Sequence, residues 1–237
     1  MNLFYQPNIS AATFEVTFEK EESRHMIKVL RMTEGDLFKI TNGKGYFFDA
    51  EVVSANPKKC IAKILSKENQ PPLPYQLHLA VAPTKLNDRY EWFLEKATEI
   101  GITEITPLIC DHSERKVIKP ERYEKIIQSA IKQSLKAYMP ILNPATSFKE
   151  FIKYESTSEG LKYIAHCEET QKRSLKSVLL PKQKVLILIG PEGDFSTSEI
   201  KLAKAKGFLP VSLGESRLRT ETAAVVACHS VAFTNEI

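Results

Sequence analysis

The fold of this chain is decided by one stretch, Val185-Leu186-Ile187-Leu188-Ile189-Gly190-Pro191-Glu192-Gly193. Its first five residues form an unbroken run of branched apolar side chains, which Gly-Pro ends at once. Such a run is typical of a strand that is buried on both faces of a parallel sheet. The stretch therefore predicts an α/β fold, with an irregular loop directly after a buried strand.

A helix and a second strand are predicted after this loop. Ser196 and Glu199 have the spacing of a capping box, so the helix should start there and end at Gly207, its C′ residue. The second strand spans 209–213 and leads through 214–224 into a last apolar helix. Two loops that hold glycine beside a carboxylate thus follow the carboxyl ends of two strands, where open α/β sheets bind ligands. Taken alone, Gly-Pro-Glu-Gly is equally consistent with a simple tight turn.

These two loops resemble the signature of a known enzyme family. Their sequences, I-G-P-E-G-x-F-S and L-G-x-x-x-L-R-T-E-T-A, are similar to those of the RsmE family. Members of that family are SPOUT-class methyltransferases that methylate N3 of a uridine in small-subunit ribosomal RNA. The resemblance implies an α/β fold with a SPOUT-type parallel sheet and a C-terminal trefoil knot, preceded by a small PUA-like β-barrel. It also implies S-adenosyl-L-methionine as cofactor, a homodimer, and the decoding-region uridine of 16S rRNA in the small ribosomal subunit as target.

Composition narrows the class of protein without choosing a function. The net charge of +4 is mild and does not by itself argue for a nucleic-acid partner. No apolar run approaches membrane-spanning length, and Asn2, Gln6 and Pro7 interrupt the first apolar residues, so neither a membrane partner nor a signal peptide is expected. The four cysteines and five histidines are scattered singly. We therefore expect no metal site, and reduced thiols in a cytoplasmic protein.

The first part of the chain, residues 1–70, is predicted to be a β-rich domain. A short helix is expected over 21–31 and an Asn42-Gly43 turn between two strands. The expected strands are 13–18, 36–40, 46–53 and 59–65. This pattern predicts a small barrel of short antiparallel strands. Three prolines within 71–74 then form a stiff connector, which marks the start of a second domain, 71–237.

The second domain is predicted to alternate strands and helices. Further strands are expected over 77–82, 105–109 and 162–167. One helix should begin after Asn87 as its N-cap and end at Gly101, and another should have Pro120 at its first position. Such alternation implies a mostly parallel sheet with helices on both faces. Trp92 lies outside the buried stripe of the first helix, so the sequence assigns it no functional role.

The resemblance assigns three loops to S-adenosyl-L-methionine. Backbone groups in these loops would bind the adenine, and Leu213 and Leu218 would supply apolar walls. His166 alone would more often be a structural residue at a strand end, and it is included only as a lining residue. The cofactor-binding positions implied in this chain are Ala165, His166, Ile189, Gly190, Pro191, Glu192, Gly193, Leu213, Gly214, Leu218 and Thr222.

The chemistry of uridine N3 suggests the catalytic residues. N3 carries a proton and is a poor nucleophile at neutral pH, so the site needs a base or a group that stabilises an anion. Arg219 is a candidate for stabilising the uridine anion or binding phosphate, and Glu221 for acting as base or orienter. A competing interpretation is that Glu221 only caps the last helix behind Thr220. The target base would also have to be unstacked from the RNA.

RNA contacts are predicted in several basic segments. Arg24, Lys28 and Arg31 share one face if 21–31 is a helix, and basic residues outnumber acidic ones between Ser113 and Lys136. Solvated helix faces would explain the same charges. Resemblance to family segments favours RNA contact by Arg24, Arg31, Lys85, Arg89, Arg115, Gln133 and Lys136.

Three positions depart from the family pattern. Asp194 stands where a second glycine is common, which adds a charge near the cofactor. Ser216-Arg217 replaces an Arg-Ile order, so either Arg217 or Arg219 could face the pocket. Lys136 stands where arginine is usual and lacks its two-pronged grip on phosphate. The sequence does not identify the residue that removes the N3 proton. It also does not decide whether the substrate is free RNA or the assembled subunit.

Two other classes of protein are consistent with parts of the sequence. One is a nucleotide-binding α/β enzyme, which is weakened because the chain has neither G-x-G-x-x-G after the first strand nor G-x-x-x-x-G-K-[ST]. The other is a non-catalytic RNA-binding or ribosome assembly factor that works through its barrel. This second class predicts RNA binding that survives loss of the C-terminal loops, without methyl transfer.

Overall fold

The computed structural model describes residues 2–155, 159–168 and 171–236, and it divides into two compact units. The first unit comprises the residues up to Pro72 together with Ile131–Met139. The second comprises Leu73–Ala130 and the residues from Pro140 onward. A segment from the middle of the chain thus completes the N-terminal unit.

The first unit is built on a five-stranded sheet with the spatial order β1-β3-β4-β5-β2. Its strands are β1 (Leu3–Tyr5), β2 (Glu15–Thr17), β3 (Leu37–Thr41), β4 (Tyr46–Ser54) and β5 (Ile61–Asn69). The four predicted strands are confirmed with shifted ends. β1 was not predicted, and it pairs in parallel with β3, so the expectation of antiparallel strands alone is wrong at this edge.

The helix predicted over 21–31 is shorter and changes its hydrogen bonding midway. Helix α1 (Lys20–Arg24) continues as a π-helical turn over His25–Val29, in which the Leu30 amide donates to the His25 carbonyl at 3.0 Å. Arg31 lies beyond the helix with φ at 56°. The helical spacing that grouped Arg24 with Arg31 therefore does not apply, because α-helical periodicity ends before Arg31.

The second unit contains an eight-stranded sheet in the order β11-β13-β10-β12-β6-β7-β8, with β9 pairing β7. The strands are β6 (Gln76–Val81), β7 (Glu104–Ile109), β8 (Ile141–Leu142), β9 (Thr146–Ser147), β10 (Leu161–Ala165), β11 (Arg173–Ser174), β12 (Lys184–Ile189) and β13 (Leu209–Ser212). All these pairs are parallel, which confirms the predicted sheet. The two-residue strands β8, β9 and β11 were not predicted.

Among the described residues, six helices accompany this sheet: α2 (Asn87–Ile100), α3 (Pro120–Gln133), α4 (Phe148–Glu155), α5 (Leu175–Val178), α6 (Thr197–Ala205) and α7 (Thr220–Thr234). α4 and α5 were not predicted. The N-cap expected at Asn87 is wrong, because Leu86 holds that position. The Asn87 side chain instead donates to Glu91 and accepts a hydrogen bond from the Tyr123 hydroxyl at 2.9 Å.

The capping box predicted at the start of α6 is confirmed. The Glu199 amide donates to Ser196 Oγ at 3.3 Å, and the Ser196 amide donates to Glu199 Oε2 at 2.8 Å. Glu199 is buried, and its other carboxylate oxygen accepts a hydrogen bond from the Asp111 amide at 2.9 Å. The carboxylate thus joins the start of α6 to the segment that follows β7.

Replacing Ser196 with alanine is expected to lower the free energy of unfolding by about 1 kcal/mol, because α6 loses its N-terminal acceptor. Urea unfolding would measure the change. Lys201→Ala, at an exposed position in the same helix, is the matched control and should change stability by less than about 0.5 kcal/mol. Equal losses in both variants would contradict the importance of the cap.

Candidate functional site

Three loops converge where neighbouring strands of the second sheet end. β13, β10 and β12 are adjacent in that order, and the segments 213–219, 166–168 and 190–196 follow them. β13 lies on the far side of β10 from β12, whereas α7 packs against α2, β6 and β12. The segment 213–219 must therefore cross the carboxyl end of β10, which brings the three loops together.

The loops enclose two adjoining cavities of about 440 and 280 Å³. We call them together the loop groove, because both are lined by Ala165, Cys167, Arg217, Leu218 and Ala223. The larger cavity is also lined by His166, Lys172 and residues 211–216. The smaller one is also lined by residues 189–192, Asp194, Arg219 and Thr220. The groove has the size of a pocket for a small molecule.

The start of α7 is tied to the loop after β12. The Thr220 hydroxyl donates to the Gly190 carbonyl at 3.1 Å, and Arg219 is the N-cap residue of α7. Glu221 therefore lies in the first turn of α7, where a carboxylate also favours the helix N-terminus, so the interpretation that it serves the start of the helix behind Thr220 stays open. A Cβ on Gly190 would approach the buried Phe195 ring to 3.0 Å, so this position requires glycine for close packing.

Asp194 keeps the backbone conformation of a glycine and adds two hydrogen bonds. Its φ is 62°, in the left-handed region that favours glycine. Its carboxylate accepts from the Cys167 amide at 2.7 Å and from the Phe195 amide at 2.8 Å. The departure from the family pattern thus provides a direct link between the loops after β10 and β12.

His166 lines the groove and has two buried, unsatisfied ring nitrogens. Its side chain lines the larger cavity and is 6% exposed, and neither ring nitrogen has a hydrogen-bond partner among the described residues. Burial lowers the pKa of its imidazole. A neutral imidazole offers one donor and one acceptor, so His166 can hydrogen-bond a ligand in this cavity.

A third cavity, of about 400 Å³, opens on the other side of Arg219. We call it the outer cavity; its lining consists of Asp88, Arg89, Trp92, Arg219, Glu221 and Thr222. Arg219 lines both the outer cavity and the loop groove. Glu221 is 7% exposed, and its Oε1 lies 3.9 Å from Arg89 Nε. The two catalytic candidates therefore share one cavity.

Comparison with known proteins identifies the family. Models of the families described as RNA methyltransferase domain and RNA methyltransferase PUA domain match residues 71–232 and 18–65. A ribosomal RNA small subunit methyltransferase E from Buchnera aphidicola subsp. Acyrthosiphon pisum is 33% identical over 221 residues, which cover 89% of this chain and 85% of the relative. This chain belongs to the ribosomal RNA small subunit methyltransferase E family.

Solved structures agree with membership of the methyltransferase E family. A crystal structure described as a "probable rRNA-methyltransferase" from Porphyromonas gingivalis has a TM-score of 0.91 at 41% identity, and covers 99% of this chain and 98% of that chain. A methyltransferase E from Neisseria gonorrhoeae, bound to S-adenosyl methionine, has a TM-score of 0.85 at 27% identity. That match covers 96% of this chain and 95% of the Neisseria chain.

In this chain, all the predicted cofactor residues except Gly193 and Thr222 line the loop groove. The Gly193 carbonyl lies 3.0 Å from His112 Nδ1, and Thr222 lines the outer cavity. The Glu192 carboxylate accepts a hydrogen bond from the Lys85 amide at 2.9 Å. Cys167, which belongs to the first of the predicted cofactor loops, also lines the groove. Lys172 lines it as well, although the sequence did not single it out.

The residues predicted to contact RNA belong to different units. Those in the first unit are Arg24, Arg31, Gln133 and Lys136, and those in the second are Lys85, Arg89 and Arg115. The Arg115 guanidinium donates to the carbonyls of Thr84 and Lys85 at 3.1 and 2.8 Å. Lys85 forms an ion pair with Glu114 at 2.8 Å. Arg115 and Lys85 thus hold the loop before α2, whereas Arg89 lines the outer cavity.

Membrane-spanning helices and metal clusters are both absent from the part of the chain that the structure describes. None of its helices is long and apolar enough to cross a membrane. Within the same residues, no group of three or more histidine, cysteine, aspartate or glutamate side chains is placed to hold a metal ion.

Proposed function

We propose that this protein transfers the methyl group of S-adenosyl-L-methionine to N3 of a uridine in 16S rRNA, the decoding-region uridine that the family resemblance implies. The loop groove carries this proposal. It lies at the carboxyl ends of three adjacent parallel strands and is formed largely by the loops that the family resemblance assigns to the cofactor. The Neisseria member of the family is bound to S-adenosyl methionine in its crystal structure, which supports the same cofactor here.

The residues of the groove fit this cofactor. Gly190 and Gly214 leave the backbone accessible, Leu213 and Leu218 supply apolar walls, and His166 offers its two orphaned nitrogens to polar atoms of the ligand. When bound, S-adenosyl-L-methionine supplies a methyl carbon attached to a positively charged sulfonium sulfur. The protein then has to position uridine N3 in line with that carbon and exclude water.

The reaction defines two tasks for side chains near the groove. The bond between N3 and the methyl carbon forms while the carbon–sulfur bond breaks, leaving its electron pair on sulfur, and the N3 proton passes to a base. We assign Arg219 to stabilise the negative charge of the deprotonated uracil, because it lies between the groove and the outer cavity. We assign Glu221 as the base, because it is a buried carboxylate in the same cavity.

The proposal includes the C-terminal trefoil knot of the family. The order of strands and helices supports it. The chain between β10 and β12 includes β11, which lies on the outer side of β13. The segment 213–219 then runs from β13 back to α7, which packs against β12, and this return across the strand order supports a knot.

A homodimer is proposed as well, with α7 at its interface. Val226, His229 and Phe233 follow one another at helical spacing on this helix, and Phe233 is 62% exposed. The rings of His229 and Phe233 are stacked with centroids 5.8 Å apart. A second copy of the chain would bury this apolar surface.

We propose that residues 1–70 form a PUA-like RNA-binding domain and that 71–237 form the methyltransferase domain. The two family matches support this division. Arg24, Arg31, Gln133 and Lys136 would contact rRNA from one unit, and Lys85, Arg89 and Arg115 from the other. The mild net charge of +4 gives weak attraction to free RNA, which favours the assembled small subunit in the cytoplasm as substrate.

Methyl transfer from labelled S-adenosyl-L-methionine to small ribosomal subunits that lack the modification tests the proposal. Mass spectrometry of the digested rRNA should locate label in a single N3-methyluridine. Label on another base would contradict the assignment of the reacting atom. Cofactor binding without methyl transfer to either subunits or free rRNA would contradict the proposed substrate. Absence of cofactor binding would leave the interpretation of a non-catalytic RNA-binding protein.

Replacing Asp194 is expected to weaken cofactor binding in a graded manner. Both Asp194→Gly and Asp194→Ala remove the carboxylate that accepts hydrogen bonds from the Cys167 and Phe195 amides. Glycine adopts the positive φ of this position without strain, whereas alanine keeps a Cβ there. We expect the Kd for S-adenosyl-L-methionine to rise about threefold for glycine and about tenfold or more for alanine. Isothermal titration calorimetry would measure both. Equal affinity of alanine and glycine variants would show that the left-handed backbone is unimportant.

A further inference from the structure

Trp92, the single tryptophan of the chain, lies on the exposed side of α2. Its side chain is 43% exposed, whereas its neighbours Phe93 and Leu94 are fully buried. An isolated exposed aromatic residue is ordinary on a protein surface. Trp92 differs because it lines the outer cavity together with two arginines and a buried carboxylate. An aromatic face beside guanidinium groups is the combination with which proteins bind unstacked bases and their phosphates.

The outer cavity adjoins the loop groove at Arg219. Arg219 lines both spaces, and the hydrogen bond from Thr220 to Gly190 holds the start of α7 at this boundary. An aromatic ring stacked on Trp92 would therefore lie in the outer cavity, and Arg219 would stand between that ring and the loop groove. This arrangement suits a base that must present one edge to a cofactor.

We propose that Trp92 is the stacking surface for the target uridine. The uracil ring lies against the indole in the outer cavity, its N3 edge faces Arg219, and Arg89 binds the adjacent phosphate. This inference rests on the proposed function and adds a binding site for the base, at a residue to which the sequence assigned no role.

Stacking on an indole matches what the reaction requires of the RNA. A base whose N3 edge is to be methylated has to leave its pair and its neighbours, and it loses base stacking when it does so. An aromatic side chain replaces that stacking and tolerates any base, since every base has a π face. Trp92 thus supplies attraction for the extruded ring, while Arg219 and Glu221 act on its edge.

Steady-state kinetics of Trp92 variants on unmodified small subunits test this inference. Trp92→Ala is expected to lower kcat/KM about 10- to 100-fold, the effect of losing one stacked base, while the Kd for S-adenosyl-L-methionine changes less than about twofold. Trp92→Phe should recover to within about threefold of wild type, and Trp92→Leu should stay near the alanine variant. Tyr154→Ala, which removes a 73% exposed aromatic ring on α4, is the matched control and should behave as wild type.

Several results would overturn the inference. A leucine variant as active as the phenylalanine variant would show that apolar packing, and not stacking, is what Trp92 provides. A weakened cofactor affinity or an altered sedimentation coefficient in Trp92→Ala would place the residue in the fold or in a subunit interface. Unchanged kcat/KM would exclude any role in binding the base.

A second measurement separates this inference from the proposed function. If the wild-type protein transfers no methyl group, the proposed function fails, but the fluorescence of Trp92 still reports on stacking. Emission from this single indole should be quenched by a uridylate oligomer at low salt, where electrostatic attraction to RNA is strongest. Absence of quenching at saturating oligomer would overturn the stacking site independently of catalysis.

Discussion

Replacing Arg219 with alanine is expected to lower kcat for methyl transfer by about 10²- to 10³-fold, with the Kd for S-adenosyl-L-methionine within about threefold of wild type. Arg219 is the N-cap residue of α7 and lines both the groove and the outer cavity. In the proposed reaction, this guanidinium stabilises the negative charge that uracil acquires as N3 loses its proton. Removing a donor aimed at such charge raises the reaction barrier more than it weakens binding.

Arg217→Ala provides the contrast, and it decides between the two arginines of this loop. Arg217 lines both parts of the loop groove, whereas the outer cavity is lined by Arg219. We expect Arg217→Ala to raise the Kd for S-adenosyl-L-methionine about tenfold and to change kcat at saturating cofactor by less than about threefold. Calorimetry and single-turnover kinetics would measure the two effects. The reverse pattern would show that Arg217 is the residue facing the uridine.

Replacing Glu221 with glutamine is expected to lower kcat by about 10²- to 10⁴-fold, the range associated with loss of a general base. Glutamine keeps the shape of the buried side chain but cannot accept the N3 proton. Glu221 also lies 3.9 Å from Arg89, so the same loss would arise if its task were only to orient that arginine. The two roles predict different behaviour in combination with Arg89→Ala.

A double-mutant cycle with Arg89→Ala separates these roles. If Glu221 is the base and Arg89 binds phosphate, Arg89→Ala should mainly raise KM, by about tenfold, and the two effects should add. If Glu221 only orients Arg89, the single variants and the double variant should lose similar activity.

Structural elements that depend only on residues close together in the sequence were predictable. The apolar run that became β12 and the capping box at Ser196 depend on residues within a few positions of each other, and both are present. β1 has three residues, too few to show alternation, and it depends on pairing with β3, which lies more than thirty positions further along the chain. The cap at Asn87 failed for a related reason, because the Tyr123 hydroxyl from α3 engages its side chain.

The candidate site also has a part that local sequence predicts and a part that depends on residues far apart in the chain. Glycine and proline identified the loops after β12 and β13 because they affect the backbone directly. The outer cavity could not be predicted, because it depends on α2 and α7 packing together although they are more than a hundred residues apart. Trp92 therefore looked like an ordinary surface residue until the start of α7 was placed beside it.

The mid-chain segment that completes the N-terminal unit constrains the order of events during synthesis. The Gly45 amide donates to the Ala137 carbonyl at 2.9 Å, and a Cβ on Gly45 would overlap the Tyr138 ring, with its hydroxyl oxygen 2.5 Å away. These contacts have no partner until residues 131–139 have been translated. At a translation rate of about 5–20 residues per second, residues 131–139 are synthesised several seconds after Pro72. The first unit, although most of its residues precede those of the second, is therefore completed only after translation of the second unit has begun.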